Sequence, residues 1–238
     1  MPLILAIDTA TGTTGVALIR GGEVLAKKYA DGNRRSAEKI FSTIEEVLST
    51  GGVTKDALDG VAVTIGPGAF TGLRVGIAIA KGVATGLALE VAGVSTLKAL
   101  SLNVSGFQGI IGVAVDARKG QVYSAAYDCE TGEELLREGA RSPEYFREEL
   151  LALNRPTLLI GSGVGAYEDK LFVDDKHLIT PGDSSLWEID PACVALIGEE
   201  EFLKGNTRAP ELLSPQYLRL SEAEEKKKAG TLGVSPKI

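Results

Sequence analysis

The chain has 238 residues with a net charge of −7, room for one large domain or two small ones. A single His and two Cys are too few for a zinc site, which needs three or four ligands at paired spacing, and this argues against a metallohydrolase. The acidic balance argues against a protein that grips nucleic acid unaided, because phosphate neutralisation dominates that affinity; a polynucleotide partner would be held mainly by another subunit.

Residues 3–8, Leu-Ile-Leu-Ala-Ile-Asp, form a short apolar run ending in a carboxylate and predict a buried strand. A turn rich in Thr and Gly over 9–15 leads to strands over 16–19 and 23–29, joined by Gly21-Gly22, which fits a two-residue hairpin. Over 35–48 the positions Ala37, Ile40, Phe41, Ile44, Val47 and Leu48 follow helical spacing, and Gly51-Gly52 stop the run. A strand over 60–65 follows, then Gly66-Pro67-Gly68 and a long apolar segment over 71–89.

The pattern then recurs. Val113-Ala-Val-Asp116 matches the first strand at an offset of 108 residues, and a strand over 121–127 follows its turn. Thr131-Gly132 stands where Gly21-Gly22 stood, and Ser142-Pro143 opens a helix to about residue 153, Ser as N-cap and Pro as first helical residue. Thr157-Leu-Leu-Ile-Gly161-Ser-Gly163 echoes Thr64-Ile-Gly66-Pro-Gly68 at an offset of 95. The order βββαβα thus appears twice, near 3–104 and 109–204. Two such α/β lobes, each a mixed sheet with helices, are the architecture of the duplicated actin-like, ribonuclease H-like superfamily of sugar kinases and heat-shock ATPases. The expected division is an N-terminal lobe over 1–104, a C-terminal lobe over 105–221 and a disordered tail over 222–238, where charges cluster at Glu224-Glu-Lys-Lys-Lys228.

Asp8 and Asp116 each close the first strand of a lobe. Two readings stand open: a carboxylate pair facing one cleft around Mg²⁺-ATP, as in an active small-molecule kinase or ATPase, or two turn-forming aspartates bonded to their own backbone. Thr9, Thr11, Thr13 and Thr14 around Gly12 would cradle phosphate with backbone N–H groups, or simply make the turn. The block Gly66-Pro67-Gly68-Ala69-Phe70-Thr71-Gly72-Leu73-Arg74 leaves a strand and enters a helix, placing free N–H groups at a positive helix end where an anion or another chain can dock. It lacks the Lys-Ser/Thr of a Walker loop, and no G-x-G-x-x-G occurs. The helix carries Gly72, Gly76 and Ala80 on one ridge and Ala78, Gly82 and Gly86 on another. Helical glycines cost up to about 1 kcal/mol each, so a close neighbour is expected to compensate, either the chain's own lobe or another subunit. His177 reads as a surface histidine, since no G-x-S-x-G elbow presents a nucleophile. Cys129 and Cys193 read as free thiols in a reducing cytoplasm, and no apolar run of about 18 residues marks a membrane span.

Taken together, Ile4-Leu-Ala-Ile-Asp-Thr9, the block Gly66–Gly76 with Ala80-Lys-Gly82, Gly93-Val-Ser-Thr-Leu97, Asp116-Ala-Arg-Lys-Gly-Gln-Val-Tyr123 and Pro215-Gln-Tyr-Leu-Arg219 resemble the TsaB family, also called YeaZ. The matches span about residues 3–219. The resemblance implies a partner subunit in placing a threonylcarbamoyl group on N6 of the adenosine next to the tRNA anticodon, in tRNAs reading codons that begin with A. It implies a catalytic paralogue, TsaD, whose metal sits on a His-x-x-x-His pair in the helix after the third strand; here that stretch reads Asn33-Arg-Arg-Ser-Ala-Glu-Lys39, without histidine. Family members commonly carry a single His near Arg35, and its replacement puts in doubt any role for that side chain. The implied partners are TsaD, with the ATPase TsaE and tRNA reached through the complex, and a homodimer when the chain is alone. The implied pairing surface is the two helices of the N-terminal lobe, with Arg35, Ile40, Phe41, Ile44, Leu73, Gly76, Ile77 and Ala80 as contacts. No metal or cofactor of its own is implied, a nucleotide at the subunit junction is left open, and Asp8, Thr9 and Asp116 would be a vestigial nucleotide site.

Overall fold

Strands β1 (Leu3–Asp8), β2 (Gly15–Arg20) and β3 (Glu23–Tyr29) pair as an antiparallel meander in a computed structural model that describes residues 1–30, 37–173 and 178–219. Helix α1 (Ala37–Thr50) then crosses to β4 (Gly60–Gly66), which pairs parallel with β1, and α2 (Phe70–Leu87) leads to β5 (Glu90–Ser95), parallel with β4. The short α3 (Thr96–Ser101) closes the first repeat. The second repeat runs β6 (Ile110–Asp116), β7 (Val122–Asp128), β8 (Glu134–Arg141), α4 (Pro143–Ala152), β9 (Thr157–Ile160), α5 (Gly163–Ala166), α6 (Glu168–Leu171), β10 (Ile179–Pro181) and α7 (Pro191–Lys204).

The sheet orders are β3-β2-β1-β4-β5 and β10-β9-β6-β7-β8. These are one order read from opposite ends, so the duplication and the actin-like architecture hold. Each sheet has a fifth strand beyond the expected pattern, β5 and β10. Both escape periodicity for a physical reason: β5 is interrupted by Gly93, and β10 is three residues long. Arg35, His177 and the tail from 220 lie outside the described residues.

Alternation along the strands assigns the layers. Leu3, Leu5 and Ile7 of β1 face a cluster with Ile40, Ile44 and Val47 of α1 and Ile77, Ala80 and Ala84 of α2. Ile4 and Ala6 face the opposite cluster, shared with Val113 and Val115 of β6 and with Val194 and Ala195 of α7. With both faces covered, β1 is buried throughout and reads as an unbroken apolar run. The last helices are exchanged: α7 packs on β1, β2 and β4 of the first sheet, and α3 packs on β6 and β7 of the second.

Carboxylates pin α7 and its entry to the first lobe. Buried Glu199 accepts from the N–H groups of both Gly21 and Gly22, the latter at 2.7 Å, and Asp190 caps the helix at Ala192 N–H (3.0 Å) while pairing with Lys27 (2.5 Å). Ser142 caps α4 as expected, accepting from Tyr145 N–H at 3.2 Å. Cys129 and Cys193 are free. Helix α2 reaches the length and apolarity of a bilayer span, which inspection of apolar runs did not anticipate; its apolar ridge of Leu73, Ile77 and Ala80 is buried within the lobe.

Candidate functional site

A cleft of about 610 Å³ opens between the lobes. The first-strand turns of both lobes line it, through Thr11 and Gly12 on one side and Asp116, Arg118 and Lys119 on the other, with Gly68, Phe70, Trp187, Glu188 and Arg219 among the remaining walls.

Asp8 lies beneath this cleft rather than in it. It is 0% exposed, and it accepts from Ala10 N–H at 3.0 Å, Thr64 hydroxyl at 2.8 Å and Thr11 hydroxyl at 3.4 Å. Those bonds tie the turn to the end of β4. Burial pushes the Asp8 carboxyl up to about 6; the bonds from Ala10 and Thr64 oppose the shift, and the Glu188 charge adds to it. Thr9 is equally buried and donates its hydroxyl to Gly72 carbonyl at 2.8 Å.

Asp116 occupies the matching place in the second lobe but faces the cleft. It accepts from Arg118 N–H at 2.8 Å and Tyr167 hydroxyl at 3.0 Å, and Arg118 pairs with it at 3.5 Å. Both aspartates therefore bond the backbone N–H two residues on, the turn-forming arrangement. Of the two readings, the pair facing one cleft is not formed, because packing seals Asp8 under the turn and leaves only Asp116 open.

In the turn over 9–15 the Thr13 donors are occupied from within the chain, while the buried Thr14 hydroxyl has no partner among the described residues. Thr13 donates both its N–H (2.8 Å) and its hydroxyl (3.2 Å) to one carboxylate oxygen of Glu188. A Cβ on Gly12 would overlap that carboxylate where it now sits, so a side chain there would displace the Glu188 head group. Asn103 fixes the backbone that carries it, donating to Glu188 carbonyl at 2.7 Å and accepting from Asp190 N–H at 3.1 Å. Sequence reading missed Glu188: it is 175 residues from Thr13, and no local pattern marks it.

The block over 66–74 docks a chain, and that chain is its own C-terminal segment. Tyr217 stacks on Phe70 (centroids 4.4 Å apart, 16° between planes), and Arg74 lies over Phe70 at 5.5 Å while donating to Tyr217 hydroxyl at 3.1 Å. Gln216 N–H donates to Ile65 carbonyl at 2.8 Å, Pro67 is buried, and Ala69 N–H donates to Ala10 carbonyl at 3.1 Å. The segment then reaches the second lobe, where Arg219 donates to Ala117 carbonyl at 3.4 Å.

Six of the eight positions expected at a partner interface turn inward: Ile40, Ile44, Leu73, Gly76, Ile77 and Ala80 are all buried in the chain's own lobe. The correction has a simple cause. The periodic apolar positions that reveal a helix are those that build its own core, and a Cβ on Gly76 would overlap buried Thr9. What α1 and α2 leave outward is different: Phe41, 46% exposed, with Ser42 and Glu45 on α1, and Thr71, Ala78, Gly82, Thr85 and Gly86 on α2. Nothing lies within 4 Å of where a Cβ on Gly82 or Gly86 would sit. The second glycine ridge is thus open, while the first is filled.

Comparison with known proteins places this geometry in context. A family model described as TsaD, tRNA N6-adenosine threonylcarbamoyltransferase, matches residues 24–149. The tRNA threonylcarbamoyladenosine biosynthesis protein TsaB of Escherichia coli (strain K12) is 34% identical over 94% of this chain and 97% of its own length. Its namesake in Bacillus subtilis (strain 168) is 30% identical over 94% of this chain and 96% of its own length. Among solved structures, YeaZ from Pseudomonas aeruginosa superposes with a TM-score of 0.77 at 28% identity, covering 92% of this chain and all of the other.

Proposed function

The chain belongs to the TsaB (YeaZ) family of tRNA threonylcarbamoyladenosine biosynthesis proteins, and from that premise we propose that it is a non-catalytic pairing subunit. In this reading it activates the threonylcarbamoyl transferase TsaD in the cytoplasm, reaches TsaE and tRNA through the complex, and pairs with itself when alone. The observation that carries the reading is the outer face of the first lobe. An exposed aromatic, Phe41, and a stripe of small residues on α2 lie on the same side of one sheet. Such a face lets another backbone approach closely around one apolar anchor, and roughly 800 Å² per partner would make a stable contact.

The competing reading, a kinase or ATPase with Asp8 and Asp116 around Mg²⁺-ATP, needs both carboxylates at the cleft. The sealed Asp8 and the Glu188-filled turn support the pairing subunit instead. The direct test combines co-purification with TsaD from the same source and an assay of modified tRNA. The expected result is a complex whose product forms only with both chains present. Equal modification by TsaD alone, or Mg²⁺-ATP turnover by this chain alone, would sink the proposal. Phe41→Asp should abolish the complex while leaving the melting temperature unchanged; a Phe41→Asp chain that still co-purifies would relocate the interface.

A further inference from the structure

The most specific contact between the cleft walls is not between the two aspartates but between Glu188 and the first turn. Its carboxylate sits where the turn offers an N–H and a hydroxyl from Thr13 beside side-chain-free Gly12. That donor set suits an anion, since oriented backbone N–H groups bind negative oxygens whether they belong to a carboxylate or to a phosphate. Arg118, Lys119 and Arg219 line the same cleft, together with Asp116, which pairs with Arg118 at 3.5 Å.

Glu188 is also held in a particular way. Its backbone is clamped by Asn103, and the preceding Trp187 packs against Gly165 of α5, yet its side chain is only half-buried and reaches the turn from the open side. Glu199 makes a similar double contact to Gly21 and Gly22 but is 5% exposed and lies outside the cleft lining. The first is a removable contact at the mouth of a cavity and the second a buried brace.

We propose that Glu188 is a built-in anion that occupies a latent phosphate-binding turn and keeps the cleft closed to phosphate-bearing small molecules. The inference deepens the reading of the chain as a non-catalytic subunit and rests on it. With the carboxylate in place, an incoming phosphate loses the Thr13 donors and meets the Glu188 charge. With the carboxylate removed, the same donors and the cations opposite become a phosphate site.

The experiment is titration of the full chain with inorganic pyrophosphate, followed by calorimetry and by the amide resonance of Thr13. The native chain should show no saturable binding at millimolar pyrophosphate. Glu188→Ala should bind about tenfold tighter or more, the ratio expected when one charge-assisted hydrogen bond no longer competes, and its Thr13 amide should shift on titration. Glu188→Gln, which keeps the shape and removes the charge, should gain affinity in part. A folded Glu188→Ala with no gain overturns the proposal, as does a native chain that binds pyrophosphate equally well. Should Glu188→Ala not fold, the absence of any gain in Glu188→Gln overturns it. Failure of this kind leaves the pairing role standing, whereas Mg²⁺-ATP turnover by the native chain would remove both.

Discussion

The two lobes use one plan with different burial. Each has the same five-strand order, an aspartate at the end of its first strand that accepts the N–H two residues on, and a glycine pair after its fourth strand. In the first lobe, Asp8 is sealed and braced by Thr64, the turn is filled by Glu188, and α1 and α2 cover the sheet with 14 and 18 residues. In the second lobe, Asp116 stays at the cleft, and the outer face carries only α4 with two four-residue helices, α5 and α6. The difference teaches that a repeated motif does not carry a repeated chemistry: the first lobe has turned its polar apparatus inward and its helices outward.

The sharpest way to break that comparison is pH. Asp8 has its folded pKa raised from the ordinary 3.8 to about 6 by burial, so the fold holds the proton more tightly than the unfolded chain. The stability this contributes is fully present below about pH 4 and is lost as pH rises through 6, about 3 kcal/mol in all. Urea unfolding from pH 4 to 7 should show that loss in the native chain and not in Asp8→Asn. An unchanged slope in Asp8→Asn would mean that Asp8 is not sealed as the first-lobe packing requires.

The next effect is steric. Gly76→Ala drives a methyl into Thr9, whose hydroxyl is held by Gly72 carbonyl, and should cost about 2 kcal/mol by overpacking; a neutral result would show that the first ridge is looser than the geometry requires. Removing the clasp by Tyr217→Ala gives up a stacked ring and a hydrogen bond and should cost about 1 kcal/mol in thermal unfolding. The smallest effect has the opposite sign. Gly82→Ala puts a methyl in open space on a helix and should stabilise the isolated chain by under about 1 kcal/mol. On the pairing reading it should also weaken association with TsaD, and an unchanged affinity would separate the open ridge from the interface.

Much of this was legible beforehand. The hairpin at Gly21-Gly22, the Ser142 cap and the matched segments at Asp8 and Asp116 are local signals, and each is found where expected. The orientation of the helices was not legible, because Ile40 and Ile44 carry the same periodicity whether they face a core or a partner. The filling of the turn was equally hidden: Glu188 and Thr13 meet only after the chain has passed through both sheets.

What the amino-acid order determined by itself was therefore most of the elements, though not β5 or β10, together with their duplication and the family. Hydrophobic period, glycine placement and capping residues act within a few neighbours and need no tertiary context. What only the tertiary structure decided was burial: which aspartate was sealed, which glycine ridge was filled, and whose carboxylate closed the first turn. Those outcomes depend on desolvation and on contacts between residues more than fifty positions apart, and neither is written in any local stretch of the chain.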